Sequence, residues 1–430
     1  MTLLRLYDYF IECGMVTTDS RHCPEGSMFF ALKGSNFNGN AFAEAALEKG
    51  CRYAVVDEEQ YVNGNPRIFL VKNVLETLQK LAKLHRHEIG IPIIGITGTN
   101  GKTTTKELIA AVLRKKYQIL ATEGNLNNQI GVPLTLLKLN EDLDMAVVEM
   151  GASHPGDIKE LVDIADPDYG IITNVGMAHL EGFGSFEGVL NTKCELYDYL
   201  RVHGWHTVFM DAENEHLKAR SQDLTVISYG TEGDDLYVKG TLGSCDPFLT
   251  FKWSFEGKEH EVKTHLIGSY NLKNALAAIT IGCFFHVPAP AICEALEEYV
   301  PHNNRSQLTE TEHNHLVVDA YNANPTSMHA ALENFRIMNV PHKMVILGDM
   351  RELGASSVEA HQKVLEYLST CGFDRVILVG EEFGKVNTGY EHYPDVEALK
   401  VVLAQHLPEN MYILIKGSNS MKLAQLQEIL

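Results

Sequence analysis

The run Gly95-Ile96-Thr97-Gly98-Thr99-Asn100-Gly101-Lys102-Thr103-Thr104 has the residue types and spacing that hold a polyphosphate. Glycines without a Cβ let backbone N–H groups close on phosphate oxygens, and the N-terminus of a following helix adds partial positive charge. Lys102 then reaches the outer phosphates and the Thr103 hydroxyl suits Mg²⁺. Gly98, Thr99, Asn100, Gly101, Lys102, Thr103 and Thr104 are the expected nucleotide cradle. The strict G-x-x-x-x-G-K-[ST] spacing would place glycine at Ile96, so this is a variant loop. The competing reading is a glycine-rich turn that only links strand to helix.

Two further residues stand where chemistry could meet that loop. Glu149 ends the apolar run Met145–Val148, a position from which a carboxylate reaches Mg²⁺ beside a phosphate loop; otherwise it is a solvated strand-end charge. His179, in Asn174-Val175-Gly176-Met177-Ala178-His179-Leu180-Glu181-Gly182-Phe183-Gly184, follows another apolar strand. Its imidazole either joins a metal shell and orients a ligand, or is an ordinary satisfied histidine. Lys193, read without context, is a helix-surface charge.

These residues need rigid elements behind them. Ile91–Ile94, Met145–Met150 and Gly170–Val175 read as apolar strands alternating with helices, which implies a doubly wound parallel sheet with ligands at the carboxyl ends of its strands. Residues 236–266 differ, because Phe251, Trp253 and Phe255 alternate with polar residues before the turn Glu256-Gly257, so an antiparallel hairpin is expected in or beside the central domain. Upstream, Ser27–Leu32 and Tyr53–Val56 look like strands and Ala41–Lys49 and Val74–His87 like helices. After residue 305 the alternation restarts at Leu316–Val318, Lys343–Leu347, Arg375–Val379 and Met411–Ile415. The expected fold is α/β in three domains: a small α/β unit at 1–88, a central phosphate-loop domain at 89–304 with a mainly parallel sheet and an antiparallel flank, and a Rossmann-like domain at 305–430.

Composition narrows the function. At 430 residues and 45% hydrophobic content the chain can bury several cores, while 36 basic against 56 acidic residues leave a net charge of −20. That charge opposes non-specific binding to nucleic acid and to anionic membranes, so an anionic ligand must be held by local donors. Eight cysteines without a C-x-x-C pair suit a reduced compartment. The opening Met-Thr-Leu-Leu-Arg-Leu-Tyr-Asp is broken by charge too early for a signal peptide, and no apolar run reaches membrane-spanning length. A cytoplasmic protein without membrane insertion is expected.

The phosphate loop, then Gly124-Asn125-Leu126-Asn127-Asn128-Gln129-Ile130-Gly131-Val132-Pro133-Leu134, Glu149-Met150-Gly151-Ala152 and His179–Gly184, together resemble the Mur ligase family in order and spacing. Asp319-Ala320-Tyr321-Asn322-Ala323-Asn324-Pro325-Thr326-Ser327-Met328 and Leu347-Gly348-Asp349-Met350-Arg351-Glu352-Leu353-Gly354 resemble the branch that adds D-alanyl-D-alanine. The resemblance implies an ATP-dependent, ADP-forming ligase that joins D-alanyl-D-alanine to a UDP-N-acetylmuramoyl tripeptide through an acyl phosphate, in cytoplasmic peptidoglycan precursor synthesis, acting as a monomer on small-molecule substrates. It implies ATP and two Mg²⁺ sites, one held by Thr103 and Glu149 and a bridging one by His179. Lys193, in Thr192-Lys193-Cys194-Glu195-Leu196, matches a lysine carbamoylated by CO₂, which turns a cation into an oxygen donor for metal. Cys194 is left as a small helix residue.

By the same resemblance Asn271, in Gly268–Ala278, borders the adenine, although asparagine is also a common helix N-cap. Arg305 and Asp319 close over ATP from the third domain, the guanidinium on phosphate and the carboxylate on ribose. Ser20 and Arg21, in Thr18-Asp19-Ser20-Arg21 ahead of Gly26–Gly34 and Phe37-Asn38-Gly39, match a UDP-sugar platform, against the plainer reading of a turn with a surface salt bridge. Asn419 stands where the family pattern carries arginine, so no charge contact is assigned there. A folylpolyglutamate-synthase-like or other ligase of this type accounts for the centre of the chain but not for 321–328, and a non-catalytic nucleotide-binding module for the loop alone.

Overall fold

The structure is a computed structural model that describes residues 1–203, 206–301, 305, 307–387 and 389–430. The first unit runs α1 (Leu3–Cys13), β1 (Val16–Thr17), β2 (Met28–Phe30), β3 (Lys33–Gly34), β4 (Phe37–Asn38), α2 (Ala43–Glu48), β5 (Tyr53–Val56), β6 (Ile68–Leu70) and α3 (Val74–Ile89). Its main sheet is parallel in the order β1-β2-β5-β6, with β3 and β4 as a separate two-stranded ribbon. Successive side chains point to opposite faces of a strand, so Met28, Phe30 and Val55 enter one core and Phe29, Ala54 and Val56 the other. The Asn73 side chain caps α3 by accepting from the Glu76 N–H, and Gly90 ends it at φ 68°. The boundary expected after residue 88 falls in the last turn of this helix.

The second unit continues β7 (Ile93–Thr97), α4 (Lys102–Arg114), β8 (Ile119–Ala121), α5 (Gly131–Leu136), β9 (Met145–Glu149), α6 (Asp157–Ala165), β10 (Tyr169–Ile172), α7 (Leu180–Phe183) and α8 (Phe186–His203). Then come β11 (Thr207–Asp211), α9 (Glu215–Arg220), β12 (Thr225–Gly230), β13 (Val238–Cys245), β14 (Phe248–Phe255), β15 (Lys258–Ile267), α10 (Asn271–Phe284) and α11 (Ala289–Glu298). All form one nine-stranded sheet, β15-β14-β13-β12-β11-β10-β7-β9-β8, parallel from β8 to β13 and antiparallel from β13 to β15. Its strands are buried on both faces: Ile94, Ile96 and Val147 pack with α4 and α10, while Ile93, Ala146 and Val148 pack with α3, α5 and α6. The expected hairpin is a three-stranded flank, because β13 also pairs in parallel with β12 through Tyr229 with Val238 and Gly230 with Lys239. Leu249, Phe251 and Trp253 alternate into the core beneath α10 and α11.

The third unit comprises β16 (Gln307–Glu310), β17 (His315–Asp319), α12 (Pro325–Ile337), β18 (Lys343–Gly348), α13 (Ser357–Cys371), β19 (Arg375–Val379), α14 (Glu381–Val386), β20 (Glu391–Tyr393), α15 (Val396–Gln405) and β21 (Tyr412–Lys416). The order is β16-β17-β21-β18-β19-β20, with β16 antiparallel and the rest parallel. The expected boundary at residue 304 lies outside the described residues. Among the described residues no helix is long and apolar enough to cross a membrane.

Candidate active site

In the central sheet β7 lies between β9 and β10, and the loops leaving the carboxyl ends of these three strands diverge around a crevice. A cavity of about 580 Å³ opens there, walled by Thr99–Thr104, Glu149, Asn174–Gly176 and His179, by Tyr270, Asn271 and Asn274 at the start of α10, and by Arg305, Asp319, Tyr321, Asn324, Glu352 and Lys416 of the third unit. The phosphate loop has its shape because two positions admit only glycine. Gly98 has φ +143° and a Cβ there would sit 2.0 Å from the Thr173 Oγ1. Gly101, the N-cap of α4, has φ +76° and faces the Asn274 Oδ1.

Neighbouring strand ends hold the loop in place. Thr173 Oγ1 and Asn174 Nδ2 donate to the Asn100 carbonyl at 2.7 and 2.9 Å, and Thr99 Oγ1 accepts from the Gly176 N–H at 2.9 Å. The Lys102 ammonium donates to the Gly98 and Thr99 carbonyls at 2.7 and 3.0 Å, which suspends it over the loop. Burial lowers its pKa, Glu149 offsets part of that and Arg305 adds to it, leaving about 8. An arriving polyphosphate would restore the charged form.

Glu149 is 1% exposed, which rules out the solvated strand-end reading. Its carboxylate accepts from Thr103 Oγ1 at 3.0 and 3.2 Å and from Asn127 Nδ2 at 2.9 Å, while its backbone N–H donates to Thr122 Oγ1 at 2.9 Å. Lys106 supplies the balancing charge: fully buried, it lies 3.7 Å from Glu149 Oε2 and donates to the Thr122 carbonyl at 2.6 Å. Sequence reasoning assigned no role to Asn127 or Lys106, yet Lys106 follows Lys102 by four residues and so shares its helical face. Among the described residues no group of three His, Cys, Asp or Glu side chains gathers as a metal cage. The oxygens of Thr103 and Glu149 instead fit Mg²⁺ shared with phosphates, the usual arrangement for a hard ion that keeps much of its water.

His179 caps α7 in the left-handed region at φ 50°, and its Nδ1 forms an ion-pair contact with the Glu352 carboxylate from the third unit. Burial lowers its pKa, with Glu352 opposing and Lys102 and Lys193 adding to the fall. Lys193 is not a surface charge. It is 2% exposed in the middle of α8, with its ammonium 5.6 Å from the centroid of the Phe183 ring and no hydrogen bond among the described residues. Burial and the Lys102 charge push its pKa well below the usual lysine range. It is not among the residues that line the cleft. Cys194 is buried, and that burial pushes its thiol up to about 12, so it is inert.

The Asn271 side chain does not cap a helix; Tyr270 holds that position, and Asn271 donates to the Ile267 carbonyl at 2.7 Å and accepts from Asn274 Nδ2 at 2.8 Å. Arg305 stacks on the Tyr321 ring at 3.7 Å. Asp319 Oδ2 pairs with the fully buried Lys416 at 2.6 Å, a partner to which sequence reasoning gave no role. Asn324 Nδ2 donates to Asn100 Oδ1 at 2.7 Å, which joins the third unit directly to the phosphate loop. Ser20 and Arg21 are not brought to the cleft. Arg21 is an exposed guanidinium paired with Asp19 through two 2.9 Å bonds, and Ser20 is buried in the turn.

The whole chain has known counterparts. Residues 12–95 match the model of the Mur ligase family catalytic domain, 96–282 that of the Mur ligase middle domain, and 304–419 that of the Mur ligase glutamate ligase domain. The UDP-N-acetylmuramoyl-tripeptide–D-alanyl-D-alanine ligases of Bacillus subtilis and Escherichia coli are 34% and 33% identical, over 96% and 95% of this chain and 92% of each relative. Among solved structures, MurF from Acinetobacter baumannii superposes with a TM-score of 0.88 at 28% identity, covering 99% of this chain and 98% of that one. MurF from Thermotoga maritima, solved in complex with ADP, gives 0.85 at 27% identity over 98% and 97% of the two chains. With family models matched in succession over 12–95, 96–282 and 304–419 and relatives alike over nearly its full length, this chain belongs to the Mur ligase family.

Proposed function

We propose that the protein is the ATP-dependent ligase that joins D-alanyl-D-alanine to a UDP-N-acetylmuramoyl tripeptide in peptidoglycan precursor synthesis. The observation that carries this reading is a single cleft into which the phosphate loop, the Thr103–Glu149 pair and the third-unit residues Arg305, Asp319 and Asn324 all project, in a chain similar to such ligases over nearly its full length. The tripeptide carboxylate attacks the γ-phosphorus, the bond to the β-phosphate oxygen breaks, and ADP leaves an acyl phosphate. The dipeptide amine then attacks the acyl carbon, loses a proton, and expels phosphate. Lys102 and the loop amides hold the charge that moves onto the leaving oxygen, a preorganised arrangement worth more in a partly buried cleft than in water.

Arg305 and Asp319 hold phosphate and ribose, Asn271 borders adenine, and Ser20 and Arg21 hold the UDP moiety, for which Arg21 has to exchange its Asp19 partner. Thr103 and Glu149 hold Mg²⁺, with His179 at a second site; when bound, the metal neutralises phosphate charge. Lys193 is the carbamoylation site. A buried amine with a depressed pKa and no hydrogen-bonded partner among the described residues is uncharged often enough to add to CO₂, and its carbamate turns a repelling cation into an anion. The division of labour is residues 1–88 for the UDP-sugar peptide, 89–304 for ATP and 305–430 for the acceptor, in a cytoplasmic monomer.

The test is ADP formation with a UDP-linked tripeptide and a panel of acceptors. D-alanyl-D-alanine is expected to support turnover, and D-glutamate, L-alanine and diaminopimelate to fail; preference for a single amino acid overturns the assignment. For the carbamate, Lys193→Ala is expected to be nearly inactive and partly rescued by acetate, whereas an active Lys193→Arg enzyme refutes it.

A further inference from the structure

The loop that follows β18 is fixed at three successive residues before it meets the central unit. Asp349 is fully buried, and its carboxylate accepts from the Glu382 and Phe383 N–H groups at 3.0 Å each, at the start of α14. The Met350 N–H donates to His361 Nε2 at 3.1 Å, and the Arg351 N–H donates to Ser418 Oγ at 2.9 Å. The next residue, Glu352, takes a left-handed backbone at φ 65°, sets its carboxylate against His179, and accepts at its carbonyl from the Glu181 N–H at 3.4 Å. The surroundings of His179 thus depend on a loop whose placement is decided inside the third unit.

His361 is fully buried in α13, and its two ring nitrogens have opposite tasks. Nδ1 lies 2.7 Å from the Ser357 carbonyl, which can only accept, so Nδ1 carries the proton; Nε2 faces a backbone N–H, which can only donate, so Nε2 is bare. Burial lowers the pKa of the ring, with Ser357, Asp349 and Glu382 opposing and Arg351 adding to the fall, which favours this neutral form. The ring also packs edge-on against Phe383. An aliphatic side chain could make that packing contact but would leave the Met350 N–H without its acceptor.

We propose that His361 is a positioning residue for ligation: by accepting from the Met350 N–H it sets the loop 349–352 so that Glu352 holds the His179 imidazole at the cleft. This rests on the ligase reading above. Two variants separate the two bonds of the ring. Glutamine reaches the place of Nε2, where its amide oxygen accepts from Met350; asparagine reaches only the place of Nδ1, so it keeps the bond to Ser357 and loses the one to the loop. His361→Gln is expected to keep kcat within about twofold of wild type and His361→Asn to lose at least about tenfold, the effect of a small displacement at the reacting groups. The Kd for ADP should be unchanged in both, because the phosphate loop is untouched and the protein is folded. Amide hydrogen exchange over residues 349–353 should quicken in His361→Asn alone. In a Glu352→Gln background, which removes the carboxylate facing His179, His361→Asn is expected to lower kcat by less than about twofold further, as for two residues that act through one contact. Undiminished ligation in His361→Asn, a loss without faster exchange, equal losses in the two variants, or strict additivity with Glu352→Gln each overturn the proposal. A wild-type protein that shows the protected loop but does not ligate D-alanyl-D-alanine overturns the ligase reading instead.

Discussion

Replacing Gly98 by alanine tests whether the phosphate loop is held by the geometry described above. The new Cβ would lie 2.0 Å from Thr173 Oγ1, 3.0 Å from the Thr173 N and 3.2 Å from the Asn174 N, so two of its three nearest atoms are backbone of the next strand end and cannot swing aside. A φ of +143° is also one that alanine rarely adopts, at a cost of about 1–3 kcal/mol. Relief requires the loop to lift, which breaks the Thr173 and Asn174 bonds to the Asn100 carbonyl at about 1 kcal/mol each. The expected loss is therefore about 3–5 kcal/mol, read by calorimetry as a lowered transition. A loop displaced by about 1 Å costs roughly 10²-fold in activity, read as kcat/KM for ATP. Gly98→Ala combined with Thr173→Ala removes the closest contact but neither the 3.0 Å backbone contact nor the φ cost. The double variant should thus be more stable than the sum of the single effects by about 1–3 kcal/mol while staying inactive. Strict additivity, or near-normal activity in Gly98→Ala, would refute the account of the loop.

Lys102→Ala is expected to lose about 10²-fold or more in turnover while keeping its fold, since the amine touches only loop carbonyls; thermal unfolding and steady-state rates check both halves. Lys106→Met leaves the Glu149 carboxylate buried without its balancing charge, so stability should fall by about 3–5 kcal/mol, read by denaturant unfolding. Burial opposes ionisation of Glu213, but the Lys273 ammonium and the donors of Thr231 and Glu232 outweigh it and hold the group at about 2. With a pKa lowered on folding, Glu213 stabilises fully above about pH 4.5 and loses that contribution as pH falls towards 2; Glu213→Gln should cost about 1–2 kcal/mol at pH 7, discounted for a carboxylate one-third exposed, and flatten the acid limb of a stability–pH curve. Asn324→Ala removes the bond to Asn100, and small-angle scattering without ligands should show a larger radius of gyration.

The amino-acid sequence by itself determined the elements and the loop. Strands 93–97 and 145–149 are mostly apolar because both faces are covered, and the phosphate loop is marked by glycines, lysine and threonines at fixed spacing within ten residues. Such signals are local, and periodicity and residue type carry them without tertiary information. The character of individual polar residues was not legible in the same way. Lys193 and Lys106 look like any helical lysine until α8 and α4 are packed, and only then does each become a buried amine, one without a hydrogen-bonded partner among the described residues and the other balancing Glu149. Asn271, equally plausible as a cap, turns inward because Tyr270 takes the cap position and the Ile267 carbonyl needs a donor. The contacts of Asn100 with Asn324, His179 with Glu352 and Asp319 with Lys416 join positions up to 224 residues apart. Burial and proximity across such distances depend on how whole units pack, so only the tertiary structure decided which of the chain's polar side chains form a site.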